Sequence, residues 1–184
     1  MSFGQYQWRV LDIQNGKALI LCDTVIVNQP YHSKLEEITW EKCELRSYLN
    51  GEFYNGFSAE EKARIAETTI PNNDNPWYGT SGGNATKDMV FLLSIEEVVK
   101  YFGDSGQLKN RPKDAYFIED QYDSARIAKN DAGTALWWWL RSPGYYDSDG
   151  AAYVDADGIL YVNGLGAYVG DDDGGARPAL WLNL

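Results

Sequence analysis

The chain has 184 residues, of which 14% are aromatic, and a net charge of −11. This acidic balance disfavours nucleic acids and anionic membrane surfaces as partners, because both require a basic protein surface. No apolar run approaches the roughly 20 residues of a membrane span, and the N-terminus shows no signal peptide. The length suits one domain with a sizeable core.

A β-hairpin is predicted at the start of the chain. The apolar segments 7–13 and 17–27 flank Asn15-Gly16, and this residue pair favours a two-residue type I′ turn. Each segment carries apolar residues on both faces. We therefore expect the two strands to be covered on both sides.

Helices are predicted in the middle of the chain. The first follows Thr39 and ends at Asn50-Gly51, a pair that favours a left-handed helix stop. Ser58 begins a second helix and Ser94 a third, because each is followed three residues later by the glutamate of a capping box.

The segments around the third helix are less regular. Residues 68–88 are rich in Asn, Gly and Pro and are predicted to form a loop, whereas the apolar residues 89–93 predict a short buried strand. Residues 123–131 are predicted to contain a short helical turn.

Few residues in the chain are typical of metal or redox chemistry. Cys22 and Cys43 are the two cysteines, and we interpret them as reduced core thiols, with a disulfide as the alternative. There is no CxxC pair and no Cys/His cluster, so we predict no zinc site and no cofactor. His32 is the only histidine and is interpreted as a surface or capping residue.

The last third of the chain differs in composition from the rest. The last lysine is Lys129, and the later basic residues are Arg141 and Arg177. Arg177 adjoins a proline, Arg141 lies two residues before one, and both arginines are expected to anchor loops through salt bridges. Strands and Gly/Asp turns are predicted here, but too few bulky apolar residues are present for a separate core.

A second hairpin is predicted around Asp157-Gly158. A three-residue loop, 156–158, with a left-handed Gly158 would pair Tyr153 with Tyr161. A two-residue loop would mix polar and apolar residues on each face, which a half-buried sheet disfavours. The predicted apolar face consists of Ala152, Val154, Leu160 and Val162. The opposite face consists of Tyr153, Asp155, Tyr161 and Asn163.

This opposite face and its neighbours form the candidate binding surface. Tyrosine gives large, rigid contact area with a polar tip, and carboxylates accept hydrogen bonds. The candidate ligand-binding residues are Tyr145, Tyr146, Asp147, Asp149, Tyr153, Asp155, Tyr161, Asn163, Tyr168, Asp171 and Asp172. One alternative is a tyrosine-rich sheet surface without a ligand. The other is a calcium site, but with Gly150 or Gly158 at the sixth position of a calcium loop, a tyrosine occupies the first.

Several segments of the chain resemble a bacterial domain family of unknown function that is abundant in gut Firmicutes. The resemblance is carried by "WRVLDIQNGKALIL", "TWEKCELRSYLNGEFYNGFSAEEKARI", "VFLLSIEEVVKYF", "WWWLRSPG" and "GGARPALWLNL". It implies a single α+β domain, 1–184, with the C-type-lectin-like fold that formylglycine-generating enzymes share. Residues 1–141 would be the scaffold, 142–176 a variable-type surface, and 177–184 a closing strand that contains Arg177.

The same fold is found in the variable proteins of diversity-generating retroelements. There, adenine-directed mutation of Asn-type codons yields Tyr, Asp, Ser, Ala, Gly, Val, Ile or Leu, but not Lys, Glu, Gln, Met or Trp. Residues 144–175 lack those five types. Low strand propensity accounts for part of the depletion of Lys and Glu.

These observations predict a binding module for a protein or a glycan, with no nucleic-acid partner and no membrane span. The alternatives are an enzyme of unknown class that uses the clustered aspartates, and a structural module of a larger surface protein or phage particle. No cysteine follows Cys43, so formylglycine-generating activity does not carry over. The oligomeric state is not predicted.

Overall fold

A computed structural model describes residues 1–145 and 149–184, so the predicted site residues Tyr146 and Asp147 lie outside the described residues. The helices are α1 (Glu44–Tyr48), a π-helical turn (Leu49–Phe53), α2 (Ala59–Arg64), α3 (Ile95–Phe102) and α4 (Asp123–Arg126). The strands are β1 (Ser2–Phe3), β2 (Tyr6–Gln14), β3 (Lys17–Cys22), β4 (Val27–Asn28), β5 (Ile65–Ala66), β6 (Thr68–Ile70), β7 (Thr86–Asp88), β8 (Phe117–Ile118), β9 (Ala128–Lys129), β10 (Ala135–Leu136), β11 (Trp138–Pro143), β12 (Ala151–Val154), β13 (Leu160–Tyr161), β14 (Gly175–Ala176) and β15 (Ala179–Asn183).

Two sheets contain most of the strands. One has the order β1-β2-β3-β15-β5, and the other has the order β4-β14-β11-β12-β13-β8. The C-terminal strand β15 lies between β3 and β5, so the two ends of the chain meet in one sheet. The architecture is a single compact α+β domain, as predicted. No helix in the described residues is long and apolar enough to cross a membrane.

The first hairpin has the predicted turn but not the predicted burial. Asn15 and Gly16 have φ values of 50° and 71°, as a type I′ turn requires. In β3, Ala18–Cys22 are buried, whereas Val10 and Ile13 in β2 are 44% and 65% exposed. The expectation of two covered faces is therefore right for β3 and wrong for β2. On its outer side, β2 pairs only with the two-residue edge strand β1.

The first helix differs from its prediction at both ends. Its N-cap is Cys43, whose thiol accepts the N–H of Arg46, and not Thr39. The helix also does not end at Asn50-Gly51, because both residues lie within the π-helical turn that follows α1. The Asn50 side chain donates to the carbonyl of Val90, 2.8 Å away, and this long-range bond holds the residue in the helical path.

The other helices confirm the capping predictions. Ser58 and Ser94 each accept the N–H of the glutamate three residues later, and that glutamate accepts the serine N–H in return. Gly103 follows α3 with a φ of 131°. The predicted helical turn near residue 123 is α4.

The segments around α3 were predicted with less success. Residues 90–93 are buried, but they form a single bridge, Phe91 to Ala179, in place of a strand. The ends of the predicted loop pair as β6 and β7. Thus the expectation of a loop is right only for the residues between these two strands.

The core is rich in aromatic residues, and several polar and charged side chains are buried with them. Trp8, Trp40, Trp138 and Trp139 are at most 1% exposed. Cys22 and Cys43 are buried free thiols, which confirms the reduced-thiol interpretation. His32 was expected at the surface but is buried, with Nε2 lying 3.0 Å from Glu36.

The two late arginines are held in different ways. Arg141 pairs with Glu97, as predicted, and Nη2 lies 3.1 Å from Oε1. Arg177 has no ion pair within the described residues, so its predicted salt bridge is wrong. Its Nε donates to the carbonyl of Cys22, and its guanidinium carbon lies 5.1 Å from the ring centroid of Trp138. Burial lowers the pKa of Arg177 to about 10.

Candidate functional site

The hairpin of β12 and β13 forms the base of the predicted surface. Tyr153 pairs with Tyr161, and Gly158 has a φ of 88°, which confirms the three-residue loop. A Cβ atom at Gly158 would lie 1.9 Å from the carbonyl oxygen of Asp123. The turn therefore packs directly against α4, and glycine is required there for its size as well as its backbone conformation.

The two faces of this hairpin separate as predicted. All four predicted apolar side chains are fully buried: Ala152, Val154, Leu160 and Val162. On the opposite face, the rings of Tyr153 and Tyr161 stack at 4.7 Å with an interplanar angle of 6°. Trp137 lies edge-on to Tyr153 at 5.4 Å, and Phe117 lies 5.3 Å from Tyr161. An aromatic row therefore runs over β8, β13 and β12 to Trp137, which directly precedes β11.

One hydrogen bond joins the segment 163–173 to this row, and two others lie within the segment. The Tyr153 hydroxyl donates to the carbonyl of Leu165 at 3.0 Å, and the Asn163 side chain accepts the N–H of Leu165 at 3.1 Å. Further along, Oδ2 of Asp171 accepts the N–H of Tyr168 at 2.8 Å. These bonds fix the segment beside the aromatic row.

An open cleft of about 390 Å³ lies between the segment and the row. We call it the aspartate cleft; it is lined by Trp137, Tyr153, Asp155, Gly166, Ala167, Asp171 and Asp173. None of its three aspartates has an ion pair within residues 1–145 and 149–184. Over the same residues, no group of three or more His, Cys, Asp or Glu side chains is placed to hold a metal ion.

The two stacked tyrosines are kept neutral. Burial, with the charge of Asp155, raises the pKa of Tyr161. Burial raises the pKa of Tyr153 further, with smaller effects of Tyr161 and Asp155. Both phenols are therefore protonated at neutral pH. The cleft combines protonated phenol and indole groups with carboxylate acceptors.

A buried asparagine connects the cleft's sheet to the middle of the chain. The Asn75 side chain donates to the carbonyls of Pro143, Gly144 and Val162 at 2.7–3.2 Å. Its oxygen accepts the N–H of Trp77 at 2.9 Å. This one side chain thus joins the C-terminal end of β11 to the end of the hairpin that carries the cleft.

The structure brings three of the predicted site residues together. Tyr153, Asp155 and Asp171 line the cleft. Tyr153 was predicted to face outward, but it is only 8% exposed, and its hydroxyl is bonded to the carbonyl of Leu165. Tyr161 stacks on Tyr153 just outside it, and Asp172 and Tyr168 are exposed on the adjoining segment.

The other predicted residues lie elsewhere. Tyr145 is 47% exposed, with its ring edge-on to Tyr78 at 4.6 Å, and Asp149 is half-buried. Asn163 was predicted to face outward, but it is 6% exposed because its side chain closes the turn to Leu165.

Sequence analysis missed three residues that shape the site. Neither Trp137 nor Asp173 was among the predicted ligand-binding residues. Since side chains alternate along a strand, Trp137 and Trp139 share the face of Tyr153, and this alternation was the available signal for Trp137. The bonds of Asn75 span 68–87 residues of sequence, and no local pattern indicates them.

A comparison of the chain with known protein families gave one result. Residues 15–184 match the family described as "Domain of unknown function (DUF6273)". No curated protein and no solved structure matches the chain significantly. Because the match covers most of its length, the chain belongs to the DUF6273 family.

Proposed function

We propose that the chain is a ligand-binding module that binds a protein or a glycan. The binding surface lies in residues 142–176 and is centred on the aspartate cleft; we call it the late surface. The observation that carries the proposal is the cleft itself. The β12–β13 hairpin and the segment 163–173 place carboxylates that lack an ion pair within the described residues beside a Trp–Tyr wall. Such a wall supplies apolar contact at a low cost in side-chain entropy.

The charge of the cleft indicates the kind of partner. A carboxylate accepts hydrogen bonds from lysine, arginine or sugar hydroxyl groups. The chain's net charge of −11 adds long-range attraction for basic partners and repulsion for acidic ones. A neutral glycan or a basic protein surface therefore fits the site.

The proposal includes a C-type-lectin-like fold. The terminal strand β15 closes the five-stranded sheet by pairing with β3 from Ala179 to Asn183. Arg177, just before that strand, is fully buried against Trp138. A closing strand with a buried arginine is what the family resemblance leads us to expect.

Diversification by a retroelement is also part of the proposal. Within the late segment, some positions are sterically fixed. A Cβ atom at Gly144 would lie 2.6 Å from the carbonyl of Asn163, and one at Gly164 would lie 2.6 Å from that of Ala151. In contrast, Leu165 and Tyr168 are at least half exposed. This pattern of fixed and free positions suits a diversified surface. A template repeat beside a reverse transcriptase gene would support it.

Selection from ligand libraries tests the proposed function. The wild-type protein would be screened against a glycan array and a displayed library of bacterial surface proteins. Each ligand would then be tested on Tyr168→Ala/Asp173→Asn, in which both changed side chains are exposed. Glu60→Gln on α2 is the control. We expect loss of binding in the double variant only. Equal binding by all three proteins would reject the late surface as the site.

A further inference from the structure

A second cleft lies beside the five-stranded sheet and shares no residue with the aspartate cleft. It has a volume of about 290 Å³ and is bounded by the β1–β2 turn, the π-helical turn and the start of α2. We call it the tyrosine–glutamate cleft; its main lining side chains are Tyr6, Tyr48, Glu52, Phe53, Phe57 and Glu61. The proposed function does not use it.

Aromatic rings line this cleft from several directions. The Phe53 ring lies 5.4 Å from Tyr6 at an angle of 39° and 5.5 Å from Phe57 at 90°. Phe53 and Phe57 are buried and form the floor, while Tyr6 and Tyr48 are half-buried at the sides. Gly4 and Gly56 contribute no side chains that would cover this floor.

The π-helical turn accounts for the arrangement of one wall. Backbone hydrogen bonds in a π-helix join residues five apart, so a residue lies above the one that follows it by five. Tyr48 and Phe53 are five apart and both line the cleft, with Glu52 between them in sequence. Insertions of this kind occur frequently at functional sites.

The carboxylates of the cleft are not neutralised by the chain's described residues. Glu52 is exposed and Glu61 is half-buried, and neither has an ion pair within that part of the chain. Glu61 accepts the N–H of Ser58 with one oxygen.

Two cations of α2, Lys62 and Arg64, contact other groups. Nζ of Lys62 binds the backbone and side-chain oxygens of Asn55 and lies 5.2 Å from the Tyr54 ring. The guanidinium group of Arg64 lies over Phe3, 5.6 Å from its ring centroid. The cleft therefore offers aromatic and carboxylate groups to a cation from outside the chain.

We propose that the tyrosine–glutamate cleft binds an organic ammonium ion. The aromatic rings attract the cation through their quadrupoles and contact its alkyl groups, while Glu52 and Glu61 supply the opposite charge. An anion is excluded by the two glutamates. The ammonium group belongs either to a small compound such as a choline or to a lysine side chain of another protein, and the chemistry of recognition is the same for both.

Titration with defined ammonium probes tests this proposal. The protein would be titrated with tetramethylammonium, choline and a lysine dipeptide at constant ionic strength, with sodium as the reference cation. Aromatic ¹H–¹³C NMR signals would report binding. We expect saturable shifts of the Tyr6 and Tyr48 rings with at least one ammonium probe and none with sodium. Stronger binding of choline indicates a small ligand, and stronger binding of the dipeptide indicates a protein partner.

Two variants and two controls separate binding from folding. Tyr48→Ala and Glu52→Gln should each weaken binding about fivefold. Glu52 is exposed, so Glu52→Gln keeps the test valid even if Tyr48→Ala unfolds the protein. Tyr54→Ala, at a half-buried tyrosine outside the cleft, and Asp173→Asn, in the other cleft, should bind as the wild type does. Absence of saturable shifts, or unchanged affinity in Glu52→Gln, would overturn the proposal.

Discussion

The aspartate cleft and the tyrosine–glutamate cleft contain the same kinds of groups but are built in different ways. In the first, strand register aligns Tyr153 with Tyr161, and a loop adds Asp171 and Asp173. In the second, a π-helical turn and a capping box position Tyr48 and Glu61. The combination of rings and carboxylates therefore does not depend on one type of secondary structure.

The two clefts also differ in what holds them in place. The sheet under the aspartate cleft depends on long-range bonds, including those of Asn75 to residues 143, 144 and 162. The tyrosine–glutamate cleft depends more on local bonds, such as that between Ser58 and Glu61. Substitutions that remove the bonds of Asn75 should therefore lower the free energy of unfolding more than substitutions that remove the bond between Ser58 and Glu61.

The largest effect is expected for Asn75→Ala. This change leaves three carbonyls and the N–H groups of Trp77 and Tyr78 without their side-chain partner. Since unsatisfied buried groups are costly, the free energy of unfolding should fall by about 3 kcal/mol in urea titrations. Asn55→Ala, at an exposed asparagine beside α2, should change it by less than about 0.5 kcal/mol. Comparable losses in the two variants would contradict the structural role of the buried Asn75 bonds.

A smaller effect is expected for Gly158→Ala. Strain at positive φ and the close approach to Asp123 should together lower the free energy of unfolding by about 2–3 kcal/mol. Gly16→Ala is a matched control, because Gly16 also has a positive φ but no atom within 4 Å of an added Cβ. That variant should lose only about 1 kcal/mol. Equal losses, measured by urea unfolding, would show that the contact with α4 contributes little.

Ser58→Ala should have a moderate effect at the tyrosine–glutamate cleft. The hydroxyl accepts the N–H of Glu61, so its removal should cost about 1 kcal/mol of unfolding free energy. The same change should release Glu61 without altering ligand binding at the aspartate cleft. Thermal unfolding and a binding assay at both clefts would measure this. A loss of binding at the aspartate cleft would show that the two clefts are coupled.

Tyr153 should make the stability of the fold fall in alkaline solution. The pKa of Tyr153 is raised in the folded protein, so folding holds its proton more tightly than the unfolded chain does. Stability from this source is intact below pH 10 and declines as the pH rises further. Unfolding measured from pH 7 to pH 11 should show this decline, with a smaller one in Tyr153→Phe. Identical declines in the two proteins would exclude Tyr153 as the cause.

Prediction from sequence succeeded where a local pattern determines the structure. The capping serines, the Asn15-Gly16 turn and the loop before Ile159 follow from residue identity and spacing within a few positions. The same register placed Tyr153, Asp155 and Tyr161 on one face of the sheet. These patterns yielded the turns of both hairpins, the pairing of Tyr153 with Tyr161 and the centre of the aspartate cleft.

The failures involve contacts between distant segments. The π-helical turn forms where Asn50 bonds to Val90, 40 residues away, so the pair Asn50-Gly51 does not end the helix. Arg177 binds a backbone carbonyl and aromatic rings, and its proline neighbour gave no indication of this. The tyrosine–glutamate cleft depends on the same π-helical turn, and no sequence pattern predicted it.

The central claim is that the aspartate cleft binds a ligand through its carboxylates. Its most direct test is the dissociation constant of a selected ligand, measured by calorimetry for the wild type and for Asp155→Asn/Asp173→Asn. Asparagine preserves the size of each side chain and removes its charge. We predict affinity weakened at least tenfold in the double variant and unchanged in Glu60→Gln. Equal affinity in all three proteins would contradict the claim.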